Sequence, residues 1–318
     1  MVDLKSAPTG IVLTHDGKLL IAAARQEALF IDTGKLIKGD ADAVVGSIGG
    51  GRGAIYANVT PDDKTLFVSQ EGEASITVID LERARREGFK DDALIGQIPV
   101  GLAPIALTFS PDAKVLYTTS ELAAPDWKWP IACKREGSPV PDTALADPEG
   151  AVVVIDVARA LSDPAHAVLA RVPTGCSAVR LAMSPSGDRI YVTARNSNAV
   201  VSFDTSKLIS DAAHAQVAKV PTGDAPVPVA VVDQGRKVIA GNSNRFAAAN
   251  APQSLVVLGA ANFDKGAGAV LGIIAAGAFP REMRVSADER TLFLTNFGSN
   301  SLQMLDISRL PIESKPRQ

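Results

Sequence analysis

Hydrophobic residues in this chain come in short runs that alternate with small or polar positions. Ile105, Leu107 and Phe109 form one run; Val179, Leu181 and Met183 another; Val227, Val229 and Val231 a third. A period of two predicts β-strands with one face toward a core. Each run ends in a tight turn rich in Pro, Asp and Gly, residues that preset or tolerate turn backbone angles. A second apolar run follows (KVLYTTS, RIYVTA, TLFLTN), then a short loop, then a third (ITVID, VVVID, VVSFD) and a fourth (LIGQIPV, VLARVPT). The unit is therefore four strands, A-turn-B-loop-C-linker-D.

The unit repeats. Its A–B turn recurs as THDGK at Thr14, TPDDK at Thr60, SPDAK at Ser110, SPSGD at Ser184, VDQGR at Val232 and SADER at Ser286. Successive spacings are 46, 50, 74, 48 and 54 residues, so four lie near one repeat length and the long one holds an insertion. Four antiparallel strands per roughly 40–50 residues is the signature of a β-propeller blade. The expected fold is all-β: a single β-propeller domain over 1–318, with six four-stranded blades and seven as the alternative. The last copy ends on strand C, so residues Val2 to Ser6 are expected to supply its D strand and close the ring. The insertion, about residues 122–149, falls between strands B and C of the third blade.

In this strand order the B–C and D–A loops share one face, and the A–B turns and C–D linkers share the other. The turns are uniform; the B–C loops vary, as binding loops on rigid scaffolds do. The expected site is therefore the B–C/D–A face and the channel mouth beneath it. The insertion, AAPDWKWPIACKREGSPVPDTALADPEG, carries both tryptophans, Trp127 and Trp129, and one of two cysteines, Cys133. They either anchor the insertion or line a ligand site. Cys176 lies in the D–A loop entering the fourth blade, on the same face. In an exported protein the two cysteines are expected to form a disulfide; the alternatives are free thiols or a reactive or metal-binding thiol.

Aligning the copies on the turn gives two columns on strand A. The upper is Gly10, Tyr56, Ala106, Arg180, Pro228 and Glu282; the lower is Val12, Asn58, Thr108, Ala182, Ala230 and Arg284. Tyr56, Asn58, Arg180, Glu282 and Arg284 interrupt what is otherwise a small or apolar pattern. Charges at half-buried positions need partners. Glu282 and Arg284, two apart on one strand face, are expected to pair, or else the cluster binds an anionic or polar ligand, for which Arg is suited. Asn242, Asn244 and Arg245 of the fifth B–C loop are further ligand candidates.

Charge and motif searches narrow the classes. Lys and Arg total 32 against 35 Asp and Glu, giving a formal charge of −3, which calls for no nucleic-acid partner. No apolar run reaches transmembrane length. The N-terminal residues show no leader peptide, leaving a secreted or periplasmic domain whose signal was removed, favoured by the short closing strand, or a cytoplasmic one. The three histidines, His15, His166 and His214, fall on the turn and linker face. No metal site, catalytic triad, haem motif or nucleotide loop is found, and no cofactor is expected.

The pieces IYVTARNSNAVVSFD and LFLTNFGSNSLQMLDIS resemble the YVTN family of propeller repeats, over nearly the whole chain apart from the insertion. The resemblance implies the propeller fold. It also implies a wide group: surface and secreted proteins, lactonase-like propellers and propeller subunits of redox enzymes. Six-bladed gluconolactonases of this kind hold a channel metal with acidic and amide side chains; here the columns supply only Glu282 and Asn58 of those types. Two functions are expected. One is a binding propeller for a small polar or anionic ligand, or for a protein or polymer. The other is a lactonase- or cycloisomerase-like enzyme, with Arg180 and Arg284 holding a carboxylate or oxyanion and Glu282 or Tyr56 as acid or base.

Overall fold

The computed structural model describes residues 4, 6–137 and 144–311. It is mostly β, built of antiparallel sheets with a few short helices. The chain divides into two compact units, Met1–Lys128 with Val153–Ala170, and Trp129–Val152 with Arg171–Gln318.

The first unit opens with β1 (Gly10–Leu13), β2 (Leu19–Asp32), β3 (Val44–Val59), β4 (Thr65–Gln70), β5 (Ser75–Asp80) and β6 (Leu94–Pro99), a six-stranded sheet in chain order. This differs from two separate four-stranded copies, and the reason is local. The first half of β2 pairs with β1 from Gly10↔Ala23 to Leu13↔Leu20, while its second half pairs with β3 from Glu27↔Gly49 onward. The register shifts at Arg25, whose φ is 54°. The B and C strands of the first copy are thus joined with almost no loop, and β3 likewise runs D into A. Phe30, Ile48, Leu66 and Leu81 form the core of this sheet, each fully buried.

The later copies follow the expected order. β7 (Leu102–Phe109), β8 (Val115–Leu122), β11 (Ala151–Asp156) and β12 (Val168–Pro173) make a sheet in the order β12-β11-β8-β7. Between β8 and β11 lies the insertion, which contains the hairpin of β9 (Ile131–Lys134) and β10 (Leu145–Pro148). In the second unit β13 (Ala178–Met183), β14 (Arg189–Ala194), β15 (Ala199–Asp204) and β16 (Gln216–Pro221) form one four-stranded sheet. β17 (Pro226–Val232), β18 (Lys237–Asn242), β19 (Ser254–Gly259) and β20 (Val270–Ala275) form the next. β21 (Pro280–Val285), β22 (Thr291–Asn296) and β23 (Ser301–Asp306) form a three-stranded one. Ile239, Leu255, Val257, Leu292 and Leu294 fill the core shared by the last two sheets. The expected closing strand falls on Val2 to Ser6, of which Val2, Asp3 and Lys5 lie outside the described residues.

Recurrent side-chain bonds explain the repeat. In five A–B turns the first residue is Ser or Thr, and its hydroxyl makes two bonds. It donates to an Asp within the turn, as in Thr14 to Asp16 (2.7 Å), Thr60 to Asp62 (2.6 Å) and Ser184 to Asp188 (2.7 Å). It accepts from the backbone N–H five residues on, as in Leu19 to Thr14 (3.0 Å) and Arg189 to Ser184 (3.0 Å). The fourth turn residue is left-handed in all six copies: Gly17, Asp63, Ala113, Gly187, Gly235 and Glu289. The Asp that closes strand C caps the following helix. Asp80 Oδ1 accepts from Arg83 N–H (2.8 Å) and Asp156 Oδ1 from Arg159 N–H (2.9 Å), satisfying backbone donors that a helix start leaves open.

Candidate functional site

The second unit carries the ionic centre. β13 and β21 place Arg180 and Glu282 together across 102 residues of sequence: Arg180 Nε donates to Glu282 Oε2 at 3.1 Å. Arg180 is 7% exposed. Glu282 Oε1 also lies 3.9 Å from a terminal nitrogen of Arg284. The expected Glu282–Arg284 pair is therefore present, but Arg180 is the nearer partner, which single-strand reasoning could not supply. Burying a guanidinium costs solvation that the adjacent carboxylate offsets, and the Nε bond orients its planar fork. Arg284 has a side chain 61% exposed, so this centre grades from a buried cation to an open one.

The insertion is fastened to the same unit. Cys133 and Cys176 form a disulfide. Glu136 pairs with Arg195, whose side chain is 4% exposed, through both carboxylate oxygens. Asn196 Nδ2 donates to the Lys134 carbonyl at 2.8 Å. A disulfide, a bidentate ion pair and a hydrogen bond from a side-chain amide thus hold the β9 end of the insertion to the loops flanking β13 and β14. Glu136 and Arg195 escaped the sequence reading because nothing in either copy marks them as partners.

Other candidates have different surroundings. Asn242 is 2% exposed; its carbonyl accepts from Gly223 N–H (2.9 Å) and its amide donates to Ser254 (3.0 Å), so it fixes the loop before β17. A Cβ on Gly223 would lie 2.7 Å from that amide, which accounts for the repeated glycine. Asn244 closes its own loop, donating to the Ala251 carbonyl (2.9 Å) and accepting from Ala248 N–H (2.7 Å). Arg245 is exposed. Tyr56 and Asn58 lie on β3 of the first unit, both half-buried. Asn58 is bound locally, donating to the Leu107 carbonyl at 3.0 Å and accepting from Val59 N–H. Trp127 ends a short 3-10 turn, Pro125–Trp127, in the first unit; Trp129 belongs to the second, and both are half-buried.

A cavity of about 770 Å³ elsewhere in the second unit is lined by Asp233, Arg236, Lys237, Leu271 and Ile307, among others; it contains none of the expected site residues. Among the described residues, no group of three or more His, Cys, Asp or Glu is placed to hold a metal ion. No helix among them is long and apolar enough to cross a membrane.

No family model matches the sequence, and no curated protein matches it. Solved structures do. A candidate 6-phosphogluconolactonase from Bacteroides uniformis superposes with a TM-score of 0.64 at 17% identity, over 95% of this chain and 83% of that one. Hydrazine synthase of Kuenenia stuttgartiensis gives 0.59 at 14% identity, over 96% and 97%. A chain of a mitotic checkpoint complex gives 0.67 at 11% identity, over 96% and 76%. At these identities the likeness concerns the fold alone, and the lactonase-like neighbours are β-propeller proteins.

Proposed function

We propose that this chain is a single six-bladed β-propeller domain, secreted or periplasmic, that binds a small anionic ligand through the ionic centre of its second unit. The observation that carries the reading is Arg180: a guanidinium 7% exposed, held by Glu282, with Arg284 at the exposed end of the same group. Burying charge is costly, and a strand position that three sister copies fill with Gly10, Ala106 and Pro228 needs no charge for packing. Arg recognises carboxylate and phosphate in a planar, two-bond geometry. The disulfide supports export, since such bonds persist in oxidising compartments.

A lactonase-like activity is the second reading, favoured by the lactonase-like structural neighbours. Water would add to the lactone carbonyl carbon and the ring C–O bond would break, giving a hydroxy acid. Glu282 would take the proton of the attacking water, and the arginines would stabilise the oxyanion.

A thermal-shift series with sugar acids, simple dicarboxylates and lactones tests both, because a ligand of the native state raises Tm. A shift is expected with a carboxylate and is expected to vanish in Arg180→Ala. Arg284→Ala, at an exposed position, guards against loss of fold as the cause. Acid release from a lactone, followed by titration, separates enzyme from binder. Undiminished shifts in both variants would remove the site.

A further inference from the structure

The fifth copy departs from the repeat beside the cavity of about 770 Å³. Strand C ends in Asp in every other copy: Asp32, Asp80, Asp156, Asp204 and Asp306. Across the sheet from that end stands the first residue of strand B, as in Thr65↔Asp80, Arg189↔Asp204 and Thr291↔Asp306. In the fifth copy the pair is Lys237↔Gly259. The backbone does not require glycine there: Gly259 has φ −80° and ψ 116°, and Asp156 has −76° and 116°. The exchange therefore takes a carboxylate away from a lysine rather than easing a turn.

Lys237 is itself out of pattern. Its counterparts are Leu19, Thr65, Val115, Arg189 and Thr291, and the one other cation, Arg189, lies 3.6 Å from Asp204 across the strands. Lys237 is 7% exposed, and burying an ammonium is costly without partners. Its carboxylate partner, among the described residues, is Asp233 at 3.0 Å. Asp233 also pairs with Arg236, so one carboxylate serves two cations and one positive charge is in excess. Val232 has no hydroxyl for the turn's usual clasp, but Arg236 closes this turn, since its Nε also donates to the Asp233 carbonyl at 3.1 Å. The turn therefore does not need Lys237 as a second cation.

We propose that this cavity binds an organic monocarboxylate with an apolar body, its carboxylate meeting Lys237 on the side where the sister copies carry Asp. Charge sets the class: two cations against one carboxylate call for a single negative charge. The walls set the rest. Leu271 and Ile307 line the same cavity, and its volume falls within the ~300–1,000 Å³ of small-molecule sites. An ammonium carries three donors, so Lys237 keeps its bond to Asp233 while donating to the ligand. Neither Arg180 nor Glu282 of the ionic centre lines this cavity, and the proposal does not depend on that centre.

The test uses the full chain and 3-phenylpropanoate, with binding read by titration calorimetry. Saturable binding is expected, with the neutral 3-phenylpropanamide, which has the same ring, binding about tenfold more weakly. Lys237→Met keeps the length and apolar stem of the side chain and is expected to weaken binding about tenfold. Gly259→Asp restores the sister carboxylate opposite Lys237. It is expected to weaken binding about tenfold while Tm stays equal or rises, a combination that misfolding would not give. Arg284→Ala is expected to leave binding unchanged, which separates this cavity from the small-ligand site. Absence of saturable binding, equal binding of the amide, equal binding by Lys237→Met or by Gly259→Asp, loss of binding in Arg284→Ala, or tighter binding of the dianion benzylmalonate would each overturn the proposal.

Discussion

The A–B turns and the loops entering strand A use the same backbone device in opposite ways. The turns hold a left-handed residue at a fixed place in all six copies, the entry loops in five. In the turns the residue varies, as Gly17, Asp63, Ala113, Gly187, Gly235 and Glu289, with Asp63 also accepting from the backbone N–H groups of His15 and Asp16, and in five turns a hydroxyl–carboxylate clasp does the holding. In the loops the small residue is kept until the last copy, where Phe279 replaces it and collects two arginines and a second ring. One region is repeated because every copy needs the same corner. The other departs from its own pattern in the last copy, where the substituted side chain makes contacts that its small counterparts cannot.

The largest effect expected from breaking this contrast comes from the insertion. The disulfide closes 43 residues, and the chain-entropy model gives about 4 kcal/mol for a loop of that length. Cys133→Ala with Cys176→Ala is expected to lower stability by up to that amount, measured by urea unfolding against the oxidised protein. The Glu136–Arg195 pair remains in this variant, so the second unit keeps its shape. An unchanged midpoint would mean that the ion pair alone holds the insertion.

The clasp supplies the next effect. Ser184 is 8% exposed, donates to Asp188 and accepts from Arg189 N–H. Ser184→Ala leaves that N–H without its partner and is expected to cost about 1–2 kcal/mol. It also changes the response to acid. Hydrogen bonds from Ser186 and Ser184 hold the Asp188 carboxyl below its ordinary value, and Ser110 and Ser286 do the same for Asp112 and Asp288. Folded-state values below the unfolded ones mean stability that is present above about pH 4 and lost as pH falls through the folded value. The acid limb of a stability–pH curve is therefore expected to be shallower in Ser184→Ala than in the parent. A limb of equal slope would show that these hydroxyls do not favour the ionised carboxylates.

These features differ in how far the sequence discloses them. The turns were legible because hydroxyl, Asp and Gly recur at fixed offsets, and the disulfide because two cysteines fell into loops of one face. Arg180 and Glu282 stood out as charges in an apolar column, yet their pairing spans 102 residues and needs the fold. The merging of the first two copies into one sheet was hidden because a left-handed Arg25 turns the chain with no loop residues to announce it. Asn242 read as a ligand group because it lies beside a long polar loop, whereas its bonds to Gly223 and Ser254 are those of a corner brace. Phe279 was visible in principle: aligning the strand-A entry loops, as the turns were aligned, sets it against Gly53, Ala103, Ser177 and Ala225.

The smallest effect gives the cleanest comparison. Ala113 is left-handed, φ 56°, in an exposed turn whose clasp, Ser110 to Asp112 at 2.7 Å, involves no atom of its side chain. A left-handed conformation costs an L-residue about 1–2 kcal/mol. Glycine there removes that cost but adds about 0.5–1 kcal/mol of backbone entropy to the unfolded chain. Ala113→Gly is therefore expected to stabilise by about 0.5–1 kcal/mol, with ligand binding untouched. Phe279→Gly makes the same backbone change in the loop but also removes a ring that meets Phe297 and two guanidinium groups, so it is expected to raise Tm less than Ala113→Gly does. A larger gain at Phe279 than at Ala113 would mean that these ring contacts contribute nothing to stability.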